Sequence, residues 1–510
     1  MSLHRQNTSA KHEEDTLTRP RGGDTPMSLK VYNTLTHRKE DFVTLQPGLV
    51  RMYVCGVTVY ASSHIGHAMS ALTFDITRRY LEYRGYQVKH VVNFTDIDDK
   101  IIQRSLAQHV DWRALTERYI REYLDWMDAL NVKRATHYPR VTEEADGIID
   151  AIQILIAKGY AYELKGDVYY RVSRKPEYGE LKHQSLDELR AGARVEKDEE
   201  KENVLDFALW KAAKPEEPSW PSPWGPGRPG WHIECSVMSL HHLGAQIDIH
   251  GGGTDLIFPH HENEIAQSEA LTGKRPFVRY WMHNGMMLAR VWNEETGSYQ
   301  VEKMSKSLGN ALTVDKLLAM GDPDMLRIFV LGSHYRKQLT YTDESFDIAL
   351  RQLERLKRAF ELEEKWPDPA SEAGDPTATA TLEEATRTAH HTFEDAMDDD
   401  FNTSVALASL FELSSEIFKG RSANASGKAL EEARETLAEL GGVLGLRMKE
   451  IPQKRSQDSE PFIALLIDVR RELKAARQFA LADRIRSQLK ELDVRLEDRN
   501  DGTTIWKFER

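Results

Sequence analysis

The sequence predicts an α/β protein built around a parallel sheet and followed by a helical C-terminal third. Residues 50–100 have the pattern strand, loop, helix and strand, which is a βαβ unit, and such units form parallel sheets. A second strand-like segment at 243–253 leads into a helix that begins near Glu262. Beyond a linker rich in proline, alanine and threonine at 365–380, the pattern is helical to about residue 448.

Residue spacing justifies each element of the βαβ unit. The first strand is indicated by an apolar run at Met52, Val54 and Val57. The helix is indicated by apolar residues that recur at helical spacing, Leu72, Ile76, Tyr80 and Leu81. The second strand is indicated by a short apolar run at Val88, Val91 and Val92. In such sheets ligands bind at the carboxyl ends of the strands.

The rest of the chain divides at changes in composition. Residues 1–26 are polar and aperiodic, which predicts a disordered extension. Residues 104–205 are charged and have a mostly helical pattern, and residues 214–230 are rich in proline and glycine, which predicts a loop. The predicted organisation is an extension at 1–26, two halves of one α/β domain at 27–145 and 226–310, an inserted region at 146–225, a segment at 311–364, a helical domain at 380–448 and a small terminal domain at 460–510.

Composition excludes several classes of protein. Two cysteines in 510 residues exclude a disulfide scaffold and fit a reducing, cytoplasmic location. No stretch approaches the ~20 apolar residues of a membrane helix, and the N-terminus lacks the apolar core of a secretory signal. The net charge of −13 argues against a protein that coats nucleic acid indiscriminately, although residues 361–450 alone carry −12 of it.

Two short motifs point to phosphate chemistry. The sequence HIGH runs from His64 to His67, between a predicted strand and helix, and KMSKS begins at Lys303, with its second lysine at Lys306. A helix N-terminus attracts anions, so both histidines can donate to phosphate oxygens while Gly66 leaves room for a nucleotide. The lysines can bind pyrophosphate in the transition state. Either motif alone is equally compatible with a helix cap or solvated lysines, but the pair in this order is specific.

A third group of residues has the donor types of a zinc site. Cys55, Cys235, His260 and Glu264 supply two sulfurs, one nitrogen and one oxygen, which suits tetrahedral zinc. Their spacing is not that of a zinc finger, so these ligands must converge through the fold, and spacing alone favours two unrelated buried cysteines. His260 and Glu264 share one helical face, whereas the neighbouring His261 remains a rival ligand.

A glycine run follows the second strand-like segment. Gly252 lies in its centre, and Asp255 follows two residues after the run ends. Glycines let the backbone approach a ligand, and an acidic residue just beyond can hold ribose hydroxyls. In isolation such a run is usually a turn, but its position between a strand and the candidate metal-binding helix favours a nucleotide pocket.

With these residues identified, the sequence resembles the cysteinyl-tRNA synthetases, a family of class I aminoacyl-tRNA synthetases. The resemblance covers roughly residues 27–510. The matching blocks are YVCGVTVY at 53–60, HIGH at 64–67, NFTDIDDKII at 93–102, GRPGWHIECS at 227–236, DIHGGGTDLIFPHHENEIAQSE at 248–269, KMSKSLGN at 303–310, MDDDFNTSVALASLFEL at 397–413 and LADRIRSQLKELDVRLEDRNDGTTIWK at 481–507.

The resemblance implies a Rossmann-type nucleotide-binding catalytic domain with a parallel sheet and an inserted connective domain. A stem-contact region at 311–364, a helical tRNA-binding domain at 380–448 and a small anticodon-recognition domain at 460–510 would follow. The implied activity is cysteine–tRNA ligation by a monomer, with ATP and Mg²⁺, through a cysteinyl-adenylate. In the family one zinc ion binds the thiolate of the substrate, which separates cysteine from serine without an editing domain.

The resemblance also assigns roles residue by residue. It implies zinc ligands at Cys55, Cys235, His260 and Glu264, and a cysteine pocket near Thr95 and Trp231. It implies ATP-binding residues at His64, Gly66, His67, Gly252, Asp255 and Lys306, with catalytic roles for His64, His67, Lys303 and Lys306. Anticodon contacts are implied at Phe479, Asp483, Asp498 and Trp506.

The sequence departs from the family pattern at three places, and two alternative functions remain to be compared with this assignment. Ala61 stands where the family has an acidic residue, the segment 288–301 is longer than usual and has the pattern of a hairpin, and Lys474 stands where arginine is common. One alternative function is the cysteine:amino-sugar ligase of the mycothiol pathway, which resembles only the catalytic half. The other is an inactive paralogue that binds tRNA or zinc, against which the intact motifs argue.

Overall fold

The computed structural model describes residues 28–192, 200–293, 297–304, 312–360, 366–449, 460–492, 494–498 and 504–508. The predicted extension at 1–26, the tip of the predicted hairpin at 294–296 and most of KMSKS, at 305–307, lie outside the described residues. Within the described part no helix is long and apolar enough to cross a membrane.

The elements that build the catalytic half follow in chain order. The first group is β1 Lys30–Asn33, β2 Arg38–Asp41, β3 Leu49–Thr58, α1 Ile65–Tyr83, β4 Gln87–Thr95, α2 Asp99–Gln108 and α3 Trp112–Ala129. The second group is α4 Ala145–Ala157, β5 Ala161–Leu164, β6 Asp167–Tyr170, α5 Leu186–Gly192, β7 Phe207–Ala212, β8 Gly227–Pro229, α6 Trp231–Leu243, β9 Ile247–Gly253, α7 Glu262–Thr272 and β10 Val278–Asn284.

The remaining elements are short strands and a series of helices. They are β11 Met287–Asn293, β12 Ser298–Lys303, α8 Val314–Met320, α9 Asp324–Leu331, β13 Leu339–Tyr341, α10 Asp343–Lys357, α11 Pro376–Asp398, α12 Thr403–Ser422, α13 Gly427–Val443, α14 Glu460–Ala475, α15 Phe479–Glu491, β14 Val494–Asp498 and β15 Thr504–Phe508. The predicted helical stretch to about residue 448 is confirmed as α11, α12 and α13. The predicted hairpin is confirmed where it is described, because β11 and β12 pair antiparallel.

The central sheet has the strand order β10-β9-β3-β4, and its pairings are all parallel. The predicted βαβ unit is therefore confirmed as β3, α1 and β4. The chain places β4 on one side of β3 and then returns to place β9 on the other. This reversal of strand order opens a crevice at the carboxyl ends of β3 and β9, where α/β sheets bind their ligands.

The helical interpretation of residues 104–205 was wrong at 161–170, which form β5 and β6, and the loop predicted at 214–230 contains the short edge strand β8. Strands β5, β6, β7 and β8 form a separate antiparallel sheet in that order. The first two strands have four residues each, too few to display an alternating pattern. Their turn carries positive φ angles at Lys165 (54°) and Gly166 (88°), which is typical of tight hairpins.

A buried ion pair joins the catalytic half to the C-terminal helices. The Arg327 side chain of α9 is fully buried and binds Asp75 of α1 at 2.8 Å. The same guanidinium donates to the carbonyl oxygens of Leu130, after α3, at 2.9 Å and Leu444, after α13, at 3.1 Å. Because a buried charge is costly unless it is paired, this network holds α9, α1 and the ends of α3 and α13 in one arrangement.

The C-terminal elements α14, α15, β14 and β15 pack around a small core of their own. Its members are Ile463, Leu489, Val494 and Leu496. Asp498, at the end of β14, accepts two hydrogen bonds from Arg470 of α14, at 2.8 and 2.9 Å. Lys474 and Thr504 also donate to this carboxylate, at 2.9 and 2.7 Å. Asp498 thus fastens the hairpin to α14.

We expect this fastening to depend on pH. The Arg470 guanidinium holds the pKa of Asp498 well below its usual range, so its contribution to stability is present above the ordinary pKa of about 3.9 and is lost as the pH falls. Amide hydrogen exchange of residues 460–498 should therefore show less protection as the pH falls below about 4. Asp498→Asn should already lower protection at pH 7.

The matched control for this prediction is Asp468→Asn, which breaks an exposed pair with Arg471 on the same helix. It should leave protection nearly unchanged, since exposed pairs contribute little. Equal protection of the Asp498→Asn chain and the unaltered chain at neutral pH would contradict the assigned role of Asp498.

Candidate active site and metal centre

A cavity of about 490 Å³ lies at the carboxyl ends of β3 and β9, where the strand order reverses. Its walls come from segments distant in sequence. They include Cys55, Gly56, His64, Gly66, His67, Trp231, Gly253 and Asp255. Residues from the predicted phosphate, metal and nucleotide sites therefore line the same space.

The HIGH residues form the start of α1. His64 is the N-cap, and its Nδ1 accepts a hydrogen bond from the backbone N–H of Gly66 at 3.1 Å. The rings of His64 and His67 stack with centroids 3.9 Å apart. Both imidazoles line the cavity beside the N-terminal turn, whose dipole favours a negative charge. This end of α1 is thus arranged to bind an anion.

A bulge in β3 sets the position of Cys55. The pairing of β3 with β4 shifts register between Val54 and Val57, and bulges of this kind redirect side chains. Within the bulge, Gly56 donates its backbone N–H to the Asn93 side chain at 2.9 Å. A Cβ at Gly56 would lie 1.7 Å from the carbonyl oxygen of Asn93, so only glycine permits this contact.

Four candidate metal ligands converge beside the cavity. The sulfur atoms of Cys55 and Cys235 lie 3.7 Å apart, and Cys55 Sγ lies 3.5 Å from Glu264 Oε1. His260 Nε2 lies 3.1 Å from the same carboxylate oxygen, one helical turn away. One ligand atom from each of the four residues lies within 4.8 Å of every other.

A second set of four residues satisfies the same criterion and contains the rival histidine. His250 and His261 replace Cys235 and His260 in this set. His261 Nε2 lies 3.3 Å from Cys55 Sγ, while its Nδ1 lies 2.8 Å from His283 Nε2. The geometry therefore leaves both His260 and His261 as candidate ligands beside Cys55 and Glu264.

Sequence reasoning missed His250 as part of this site. Its Nε2 lies 2.8 Å from Glu264 Oε2, and both side chains are fully buried. The signal was the histidine that ends the strand segment IDIH, directly before the glycines. Polar side chains at the carboxyl end of a buried strand are candidates for a site, and this one fixes the orientation of the Glu264 carboxylate.

Local electrostatics favour anionic forms of two candidate ligands. Burial alone would raise the pKa of Glu264, but His250 and His260 outweigh it and lower this pKa to about 2. The hydrogen bond from the Cys55 thiol lowers the pKa of Cys235 to about 6, whereas burial and Cys235 raise the pKa of Cys55. Both shifts favour the anionic forms of these ligands, a carboxylate and a thiolate, which is the chemistry of a cation site.

Comparison with known proteins identifies the family. The family model for the class I (C) tRNA synthetase catalytic domain matches residues 41–351, and the DALR domain model matches residues 392–449. Cysteine–tRNA ligase from Dehalococcoides mccartyi is 49% identical over 480 residues, which cover 94% of this chain and 99% of that protein. The chain belongs to the cysteine–tRNA ligase family.

Other relatives agree with this family. Cysteine–tRNA ligase from Thermococcus onnurineus is 48% identical over 493 residues, covering 94% of this chain and 99% of that protein. The solved structure of Mycobacterium tuberculosis methionyl-tRNA synthetase with methionyl-adenylate aligns with a TM-score of 0.55 at 17% identity, over 78% of this chain and 89% of that one. The class I synthetase fold predicted from the sequence is therefore confirmed.

Of the predicted substrate residues of this member of the cysteine–tRNA ligase family, Trp231 and Asp255 line the cavity, whereas Thr95 and Gly252 are not among its lining residues. Trp231, the first residue of α6, lines it and stacks on His260 with ring centroids 4.4 Å apart. Thr95 ends β4, where its buried hydroxyl donates to Glu234 at 3.0 Å. Asp255 lines the cavity, whereas a side chain at Gly252 would meet Leu256 and His261.

The two lysines of KMSKS, conspicuous in the cysteine–tRNA ligase pattern, differ in what the structure describes. Lys303 ends β12, and Met304 follows it as a buried residue that lines the cavity. Lys306 lies outside the described residues. Met304, directly after β12, therefore lies at the cavity, and the roles of both lysines stay predictions.

The four predicted anticodon residues all belong to the C-terminal elements. Phe479 begins α15 with 58% of its surface exposed, and Asp483 lies exposed one turn later. Trp506 of β15 packs against the small core, and Asp498 is held by Arg470. The first two residues are thus accessible to a partner, while the last two also take part in packing and pairing.

Proposed function

We propose that this chain joins L-cysteine to cysteine tRNA at the cavity described above. The observation that carries the proposal is the convergence of two thiols, an imidazole and a carboxylate beside the HIGH histidines. The first group suits a thiol-containing substrate, and the second suits the phosphates of ATP. In the first reaction, a carboxylate oxygen of cysteine attacks the α-phosphorus of ATP, and pyrophosphate leaves. In the second, a hydroxyl of the terminal adenosine attacks the carbonyl carbon, and AMP leaves.

The donor set at the cavity fits zinc. Cys55, Cys235, His260 and Glu264 combine soft sulfur with nitrogen and oxygen donors, a set typical of zinc in proteins. We favour this set over the one with His261 because it uses both sulfurs. His250, which contacts Glu264, would then orient a ligand rather than act as one.

A zinc ion held by these residues would supply a coordination position for a thiolate sulfur. Serine lacks the sulfur, and its neutral hydroxyl is a much poorer ligand, so the chain would distinguish two nearly isosteric amino acids by chemistry. Trp231, whose indole packs on His260, is suited to form the wall of the cysteine pocket. Thr95 is suited to support the cysteine pocket through its hydrogen bond to Glu234.

The residues at the start of α1 would serve the phosphates of ATP with its Mg²⁺. His64 and His67 can donate hydrogen bonds to phosphate oxygens as negative charge develops in the transition state. The positive end of the α1 dipole adds to this attraction. Asp255, across the cavity, is suited to accept hydrogen bonds from the ribose hydroxyls. Lys303 and Lys306 would bind the leaving pyrophosphate.

The test is a pair of assays on the purified, zinc-loaded chain. We expect cysteine-dependent exchange of pyrophosphate into ATP, and charging of cysteine tRNA with cysteine but not with serine. Exchange without charging would instead favour the amino-sugar ligase. The absence of both activities would favour an inactive paralogue. The match to relatives over 94% of the chain, including the C-terminal elements, argues for tRNA as the acceptor.

A further inference from the structure

A second group of metal-ligating side chains lies outside the cavity, where α6 ends beside the start of α4. Its members are Glu144, the N-cap residue of α4, and the adjacent pair His241 and His242 in the last turn of α6. One ligand atom from each residue lies within 4.8 Å of the others. We propose that these three residues form a second binding site for a divalent transition metal such as Zn²⁺.

Both imidazoles already point at the Glu144 carboxylate. His242 Nε2 donates to Glu144 Oε1 at 2.8 Å, and His241 Nδ1 donates to both carboxylate oxygens, at 2.8 and 3.1 Å. The two imidazole rings stack with centroids 4.5 Å apart, so both present a nitrogen to the same carboxylate. One carboxylate shared by two imidazoles on consecutive residues is an arrangement in which a cation can replace the two hydrogen-bonding protons.

The two histidine–carboxylate contacts require only a small adjustment to accommodate a metal. Zinc–ligand bonds of about 2.0–2.2 Å in a tetrahedral site separate neighbouring ligand atoms by about 3.3 Å. The contacts here are shorter by at most about half an ångström. His241 can open by that amount because 65% of its side chain is exposed. Each neutral imidazole would carry its proton on the other nitrogen, so the change of tautomer costs no charge.

The donor types select the class of metal. Two nitrogens and one carboxylate oxygen are the protein ligands of many zinc sites, whereas Mg²⁺ and Ca²⁺ prefer oxygen. A third imidazole, His137, packs against His242 with ring centroids 4.3 Å apart and places a further nitrogen donor beside the cluster. The partly buried carboxylate of Glu144 supplies the negative charge, with only 11% of its side chain exposed.

The proposed site lies on the same helix, α6, as two residues of the candidate active site. The metal would link α4 to the end of α6, and α6 carries Trp231 and Cys235 in its first two turns. Because a ligand that binds only the folded chain stabilises it, excess zinc should raise the thermal midpoint of the chain. His241→Ala should remove that increase, since it deletes one of three ligands.

The experiment uses the full chain without a histidine tag, first loaded with one equivalent of zinc and then titrated with Co²⁺. The proposal predicts uptake of Co²⁺ with visible d–d absorption but without the thiolate-to-cobalt charge-transfer band that the cysteine-containing cluster would give. Glu144→Gln and His241→Ala should each weaken the affinity for Co²⁺ by more than about tenfold. Loss of a residue that only orients a ligand already costs about that much, and these two residues are proposed as ligands.

The matched control is His391→Ala, which removes an exposed histidine paired with one carboxylate, Asp395, at 3.3 Å. It should bind Co²⁺ as the unaltered chain does. Circular dichroism of each variant is the check that it remains folded. The proposal is overturned if the zinc-loaded chain takes up no Co²⁺, if all uptake carries the charge-transfer band, or if His241→Ala and Glu144→Gln bind Co²⁺ like the control.

Discussion

Replacing Cys235 by serine is expected to remove zinc from the active-site cluster and to raise the KM for cysteine far more than the KM for ATP. The hydroxyl of serine is a poor zinc ligand. The substitution also removes the sulfur that lies 3.7 Å from Cys55 Sγ. ATP would still meet the histidines of α1, which lie on another wall of the cavity. Metal analysis by mass spectrometry and pyrophosphate exchange at varied substrate concentrations measure the two effects.

The control for this variant is Ser239→Ala, four residues further along α6. Ser239 is buried, and its hydroxyl lacks a hydrogen-bond partner among the described residues, so its removal should change neither zinc content nor kinetics. Full zinc content in Cys235→Ser would contradict the ligand assignment. A parallel rise in both KM values would contradict the separation of the cysteine and ATP sites.

Replacing His64 by alanine is expected to lower the rate of pyrophosphate exchange by about 10²–10³-fold, the usual cost of removing a hydrogen-bond donor to transition-state charge. His64 also caps α1, so the same change should cost about 1 kcal/mol of stability. The two effects are separable. Asn accepts the capping hydrogen bond as well as histidine does, so His64→Asn should restore the thermal midpoint but not the rate.

Both measurements are needed for each variant, the exchange rate at saturating substrates and the thermal midpoint. If His64→Asn recovers the rate together with the midpoint, the role of His64 is capping alone. An unchanged exchange rate in His64→Ala would remove this residue from the proposed reaction altogether. His67→Ala, which leaves the cap intact, should lower the rate without a comparable loss of stability.

Local patterns predicted the elements that are long and strongly periodic. The helix α1 and the two strands beside it follow from apolar spacing within a few residues, and so do α11, α12 and α13. The four-residue strands β5 and β6 were missed, because so short a segment has too few side chains to show an alternation. What identifies them as strands is pairing, of β5 with β6 and of β6 with β7, and the second of these partners is distant in the chain.

The candidate site was predicted in its residue types but not in its arrangement. Cys55 and Cys235 are separated by 180 residues, and their sulfurs meet because α6 packs on the parallel sheet beside the bulge at Gly56. His250 was missed because its role depends on the partner it meets, Glu264, rather than on its neighbours in the chain. The same holds for Glu144 and the pair at the end of α6.

The sequence by itself determined the fold class, the family and the kinds of donor available for phosphate and metal, because those depend on residue types and short-range spacing. The tertiary structure decided which side chains share a site and which histidines hold a carboxylate in place. It also assigned Asp498 to the pairing of a hairpin with α14. The physical reason is that hydrogen bonds and metal coordination act over a few ångströms, and only the packed chain brings distant residues within that range.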